Sequence, residues 1–233
     1  MQDTQGLNDA VVIQNLWKIF GDEHQDAALR GVELTVRKGE TVALCGKSGS
    51  GKTTLLNIIS ALDSPSKGSV LVFGNDLFAS PEKERVLFRR LRLGYIFQEF
   101  HLLPTLTVGE NVSLSAEFAG LKNSKEVSVV LSRVGLLEMK NRFPHQLSGG
   151  EQQRVAIARA MVKNPNIILA DEPTGNLDSI NGKIVMEMLI EQVRERGATL
   201  IYTTHANSIA LYADRILHIK DGLVEEGPCT SGE

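Results

Sequence analysis

Gly46-Lys47-Ser48-Gly49-Ser50-Gly51-Lys52-Thr53 fits the pattern G-x-x-x-x-G-K-[ST], and its flanks are those the pattern requires. An apolar run, Thr41-Val42-Ala43-Leu44-Cys45, reads as the strand before it, and Thr54-Leu55-Leu56-Asn57-Ile58-Ile59 reads as the helix after it. Glycines let the backbone curl until successive N–H groups point inward, and the helix N-terminus adds partial positive charge, so the concavity suits phosphates. Gly46, Ser48, Gly49, Ser50, Gly51, Lys52, Thr53 and Thr54 are the candidate phosphate-binding residues. Lys52 reaches the β- and γ-phosphates of a bound nucleotide in such a loop, and the Thr53 hydroxyl ligates Mg²⁺. A chance match in a chain of this length is on the order of one in a hundred, and the bland alternative, a flexible Gly/Ser turn, leaves the flanking strand and helix unexplained.

Working outward, three more apolar runs end in polar residues: Leu93-Gly94-Tyr95-Ile96-Phe97, Ile167-Ile168-Leu169-Ala170 and Ala198-Thr199-Leu200-Ile201-Tyr202-Thr203. Runs apolar almost throughout, alternating with helical patterns, predict a parallel sheet covered on both faces. Towards the N-terminus, Val11 to Leu16, Val32 to Val36 and Val70 to Phe73 lack long intervening helices, which predicts a small antiparallel layer. Ile216 to Lys220, Asp221-Gly222 and Leu223 to Glu225 spell a hairpin. Between 100 and 146 the strand signal disappears, and Val127, Val130, Leu131 and Val134 recur at helical spacing between Ser124, a candidate N-cap, and Gly135, a stop.

Two further stretches carry chemistry. The run Ile167 to Ala170 leads into Asp171-Glu172, placing two carboxylates at a strand's carboxyl end, where such sheets bind ligands. Asp171 suits the Mg²⁺ shell and Glu172 is free to orient or deprotonate a water, the bland alternative being two solvated or capping acids. Ser148-Gly149-Gly150-Glu151 opens a helix as a capping box, and the same geometry offers free N–H groups and a hydroxyl to a second anion. One chain thus has two phosphate-grade helix ends.

Composition narrows the classes. The chain has 233 residues, 42% hydrophobic and 23% charged, with 25 basic and 28 acidic side chains for a net charge of −3. That balance is globular, and it gives no basic field for nucleic acid. No apolar run approaches the roughly 18 residues that span a bilayer, and the N-terminus does not read as a signal peptide, which predicts a cytosolic protein. Cys45 and Cys229 make no disulfide framework and read as incidental.

The phosphate loop, Gln98 after a strand, Leu147-Ser148-Gly149-Gly150-Glu151, Asp171-Glu172, Asn176-Leu177-Asp178 and His205 occur in the order of ABC-transporter ATP-binding cassettes, and the resemblance covers nearly the whole chain. It implies an α/β phosphate-loop NTPase core with a mainly parallel sheet, an N-terminal antiparallel β layer and an inserted helical subdomain. The implied division is one cassette domain over 1–233, with the core at 8–99 and 147–227, the helical subdomain at 100–146, and a flexible tail at 228–233. It also implies ATP and Mg²⁺ as cofactors. Two cassettes, as a homodimer or a mixed pair, would face head to tail, with Ser148, Gly149 and Gly150 of one contacting the γ-phosphate held by the other.

The remaining roles are implied residue by residue. Gln98 resembles the glutamine that approaches Mg²⁺ and the attacking water and senses the helical insertion. His205 resembles the histidine that hydrogen-bonds the γ-phosphate. Asp178 resembles an acid crossing the dimer seam, and it could equally cap the helix starting near Ser179. Phe20 resembles the aromatic that stacks on adenine, with Trp17 as the competing candidate.

The implied function is an ATP-hydrolysing transporter subunit on the cytoplasmic side of the membrane. It would be held there by separate permease subunits that dock at the helical subdomain, with no direct nucleic-acid contact. The alternative is a soluble ATPase of the same superfamily acting on a nucleic-acid or translation complex. The chain has neither room for long coiled coils nor a second phosphate loop, and no Asn-Lys-x-Asp motif of a GTPase follows the first. Phe97 to Pro104, Thr107 to Val112 and Asp171 to Asp178 resemble the lipoprotein-release, macrolide-export and cell-division (FtsE-like) group.

Overall fold

A computed structural model describes residues 8–21, 27–121, 124–227 and 229. Strand β1 (Asp9–Ile19) pairs antiparallel with β2 (Ala27–Arg37). Val11 and Ile13 are buried at a period of two, but the next buried position is Leu16, three residues on. A bulge absorbs the extra residue: register shifts between Ile13 and Leu16, and Asn15 takes a φ of 47°. Chain order continues with β3 (Thr41–Cys45), α1 (Lys52–Ile59), β4 (Lys67–Val72), β5 (Asn75–Asp76), α2 (Glu82–Leu91) and β6 (Leu93–Ile96). Then come α3 (Val108–Phe118), α4 (Ser124–Arg133), α5 (Gly149–Met161), β7 (Ile167–Ala170), α6 (Ser179–Arg196) and β8 (Thr199–Thr204). Helix α7 (Asn207–Ala210) and the antiparallel pair β9 (Arg215–Lys220) and β10 (Leu223–Glu226) end the series.

These strands make a four-stranded antiparallel sheet, β2-β1-β4-β5, and a six-stranded sheet, β10-β9-β3-β8-β7-β6, that is parallel except at β10. Every residue of β3, β7 and β8 is buried, and alternation sorts them between two cores. Val42, Leu44, Ile167, Leu169 and Ile201 face α1 and the antiparallel layer. Ala43, Ile168, Ala170, Leu200 and Tyr202 face α5, α6 and the inserted helices. Val108 and Val112 of α3 and Val127, Val130 and Leu131 of α4 belong to that second core, so the insertion is packed onto the sheet's cover. Thr107 and Glu110 start α3 with a reciprocal capping box. Gly135, at φ 69°, follows α4 as the sequence predicts; the Ser124 side chain lies outside the described residues.

One expectation is corrected. Cys45 and Cys229 are not incidental, because their sulfurs are bonded. Strand β10 lies beside β9, which lies beside β3, and the Gly227 N–H donates to the Ile216 carbonyl. The chain leaving β10 is thereby returned over β9 to the end of β3, where Cys45 is buried. Of the 228–233 tail only Cys229 is described, and it is tied to the core.

Candidate active site

The phosphate loop joins β3 to α1 in a curl that only small residues allow. A side chain at Gly46 would strike the Ile219 carbonyl oxygen, and one at Gly51 would come within 2.6 Å of the Ala28 carbonyl oxygen. Lys52 is buried, and its ammonium donates to the Gly46 (2.8 Å) and Lys47 (3.0 Å) carbonyls, drawing the loop around it. No side chain caps the N-terminus of α1, and its first turn carries no acid. That end is consequently a free partial positive charge. Thr54 follows, half-buried, in the same turn. Beside the loop lies an open cavity of about 840 Å³ bordered by Ala27, Arg30, Ser48, Gly49, His218 and Lys220.

Across the sheet, β7 delivers Asp171 and Glu172. The Thr53 hydroxyl donates to Asp171 Oδ2 (2.8 Å), and the Thr203 hydroxyl donates to Oδ1 (2.7 Å). Thr203 Oγ1 accepts the Glu172 N–H at 2.8 Å, so one fully buried hydroxyl at the end of β8 fixes both acids. Sequence reasoning passed over Thr203, whose only signal is a polar residue at the end of an apolar strand beside the acid-bearing one. Glu172 adopts φ 43°, a conformation costing about 1–3 kcal/mol for a residue with a side chain. The backbone turns there, and Glu172 Oε2 lies 3.3 Å from His205 Nδ1. A side chain at Gly175 would meet Glu172 Oε2 at 3.1 Å and Gln98 Nε2 at 3.3 Å. Glu172 and Gln98 therefore converge on Gly175, with His205 beside Glu172, while the Asn176 amide donates to the Gln98 carbonyl (2.9 Å).

Thr53 and Asp171 pass a simple fit test for Mg²⁺: a hydroxyl and a carboxylate already within hydrogen-bond distance, both hard oxygen donors. Gln98 lies beside Glu172 at Gly175.

The second helix end lies elsewhere in the chain. Ser148 caps α5: its hydroxyl and N–H both donate to the Glu151 carboxylate, which these bonds hold below the usual range. Gly149 and Gly150 border Leu177, Phe100 and Asn181, not the cavity at the phosphate loop. Asp178 caps α6, accepting from the Ile180 and Asn181 N–H groups, and hydrogen bonds, first those from Asn181, lower its pKa. Phe20 is 64% exposed with the Lys18 ammonium 4.9 Å from its ring centre, whereas Trp17 donates to the Asn15 side chain at 3.0 Å. Neither ring borders the cavity at the phosphate loop.

Known proteins resemble this chain in sequence and in fold. Residues 29–175 match the ABC transporter family model. An ABC transporter ATP-binding protein of Methanocaldococcus jannaschii is 47% identical, the match covering 91% of this chain and 96% of that one. The ATP-binding protein YtrE of Bacillus subtilis is 44% identical over 89% and 91%. The macrolide export ATP-binding/permease protein MacB of Chlorobium luteolum is 47% identical over 84% of this chain, which spans only 30% of it. Among solved structures, the dimeric cassette MJ0796 bound to ADP and Pi superposes with a TM-score of 0.84 at 39% identity, covering 94% of this chain and 99% of that one.

Proposed function

The chain belongs to the ABC transporter family as an ATP-hydrolysing cassette, and from that premise we propose that two cassettes close head to tail over ATP to drive separate membrane subunits. The observation that carries this reading is the separation, within one chain, of two helix ends suited to anions: α1 at the phosphate loop, uncapped, and α5 at Ser148-Gly149-Gly150, where Glu151 holds Ser148. Each nucleotide would bridge Lys52 of one copy and Ser148 of the other, the latter released from its capping box. MJ0796 is itself a dimer. The family match and transporter relatives support this over the soluble nucleic-acid or translation ATPase.

In this reading the phosphate loop and Lys52 bind the β- and γ-phosphates. Mg²⁺, when bound, would be held by Thr53 and Asp171, with Gln98 approaching, and supplies charge neutralisation of the phosphates. Glu172 orients and deprotonates the attacking water, His205 donates to the γ-phosphate, and Gln98 positions that water. Asp178 crosses the seam, and the exposed Phe20 stacks on the base. The core at 8–99 and 147–227 carries this chemistry, while the helical segment at 100–146 receives the permease on the cytoplasmic side of the membrane. Among the described residues no helix is long and apolar enough to cross a bilayer; in this reading other subunits supply the membrane-spanning part of an export or lipoprotein-release type of system.

Lys52 contacts phosphate before closure and Ser148 only after it. Lys52→Ala is therefore expected to lose nucleotide affinity, whereas Ser148→Ala keeps affinity and loses turnover. Titration with a fluorescent ATP analogue beside steady-state hydrolysis checks this; equal affinity losses in both variants would refute the division.

A further inference from the structure

Arg159, near the end of α5, is half-buried, and burial lowers its pKa from the ordinary arginine value. Among the described residues no carboxylate pairs with it. Its guanidinium instead donates to two main-chain carbonyls, Phe100 at 2.6 Å and the adjacent His101. Those two residues both adopt left-handed conformations, φ 54° and 48°, immediately after Gln98-Glu99. A strained double bend is held by one planar fork, the geometry in which arginine reaches two acceptors at once.

The same helix approaches this bend a second time. Phe100 Cζ lies 3.9 Å from where a side chain at Gly149 would stand, at the opposite end of α5. Arg159 is eleven residues from Ser148, about 16 Å along the axis, so α5 holds the segment near one end and lies beside it near the other. On the other side of Gln98, Phe97 stacks on Tyr95 at 4.3 Å and meets the His101 ring edge-on at 4.8 Å. The Gln98 segment is thus tied to β6 on one side and, through Arg159, to α5 on the other.

We infer that Arg159 is a positioning residue: its fork makes the bend after Gln98 travel with the helix that presents Ser148, so that Gln98 reaches its place as Ser148 reaches the partner's nucleotide. The inference rests on the roles proposed above for Gln98 and Ser148. It adds a residue that touches neither nucleotide nor water and acts through the backbone.

A double-mutant cycle on the full chain tests it. Arg159→Gln is expected to lower kcat by between about tenfold and about a hundredfold, the scale of a misplaced catalytic group, with ATP affinity and melting temperature little changed. Arg159→Lys, which keeps the charge but not the fork, falls between. In a Gln98→Ala background the same substitutions should lower kcat no further. If the losses multiply, Arg159 does not act through Gln98 and the inference falls alone. If Gln98→Ala turns over at the wild-type rate, the proposed role of Gln98 falls and takes the inference with it. Should Arg159→Gln not fold, the cycle with Arg159→Lys decides by the same two outcomes.

Discussion

Lys163 lies four residues beyond Arg159, its ammonium donating to the Arg89 carbonyl at 2.8 Å, and burial pushes its pKa down to about 8. Below that value the folded and unfolded chains both hold the proton, and the folded state bears the full penalty of a buried charge. Between about 8 and the ordinary lysine value of 10.5, the unfolded chain keeps the proton that the folded chain has shed, so stability rises with pH. Lys163→Met abolishes that contribution. Melting temperatures from about pH 7 to about pH 10 should show the wild type gaining on the variant as pH rises, and a constant difference would contradict the assignment. Such groups are hard to read from sequence, because Lys163 looks like any basic residue in a helix's last turn until its burial is known. Thr203 is hidden likewise, since its hydroxyl matters only once β7 and β8 are neighbours. Lys52, Asp171 and Glu172 are legible for the opposite reason: a local motif or strand end fixes their place without tertiary knowledge.

At the scale of elements, the segment between β6 and α3 divides its leucines. Leu102 packs against the core, whereas Leu103 is 44% exposed. Buried Asn111 of α3 fixes the intervening backbone, accepting from the Leu103 N–H (2.8 Å) and donating to the Leu103 (3.1 Å) and Leu106 (3.0 Å) carbonyls. The Leu103 side chain thus stands on a rigid mount beside a groove of about 390 Å³ whose walls include Leu62, Phe97 and Phe118. Such a surface suits an apolar segment of a permease. Leu103→Glu should leave basal hydrolysis and melting temperature near wild type and remove stimulation by the membrane partner; a collapse in melting temperature would identify Leu103 as core. Most of the strands, and helix α5, are legible from apolar runs and breakers. Less so is β1, whose alternation is broken by the bulge at Asn15, a feature set by pairing with β2 and β4. Helix α2, with Phe88 its one buried side chain, carries too little apolar pattern to announce itself.

The whole molecule carries these two helix ends, of α1 and α5, on one chain without bringing them together, and the proposed function calls on a second cassette for that reason. Its family pattern is readable in order along the sequence, since each motif is short and local. The Cys45–Cys229 bond is not: it spans 184 residues and depends on the sheet order β10-β9-β3, which no local pattern states. If ATP is enclosed between two cassettes, as proposed, removing Glu172, the carboxylate proposed to activate water, should trap that state. Size-exclusion chromatography of Glu172→Gln with ATP measures it most directly. A stable dimer with ATP and a monomer without it is the expected result; a chain that binds ATP yet elutes as a monomer at high protein concentration would overturn the proposed sandwich.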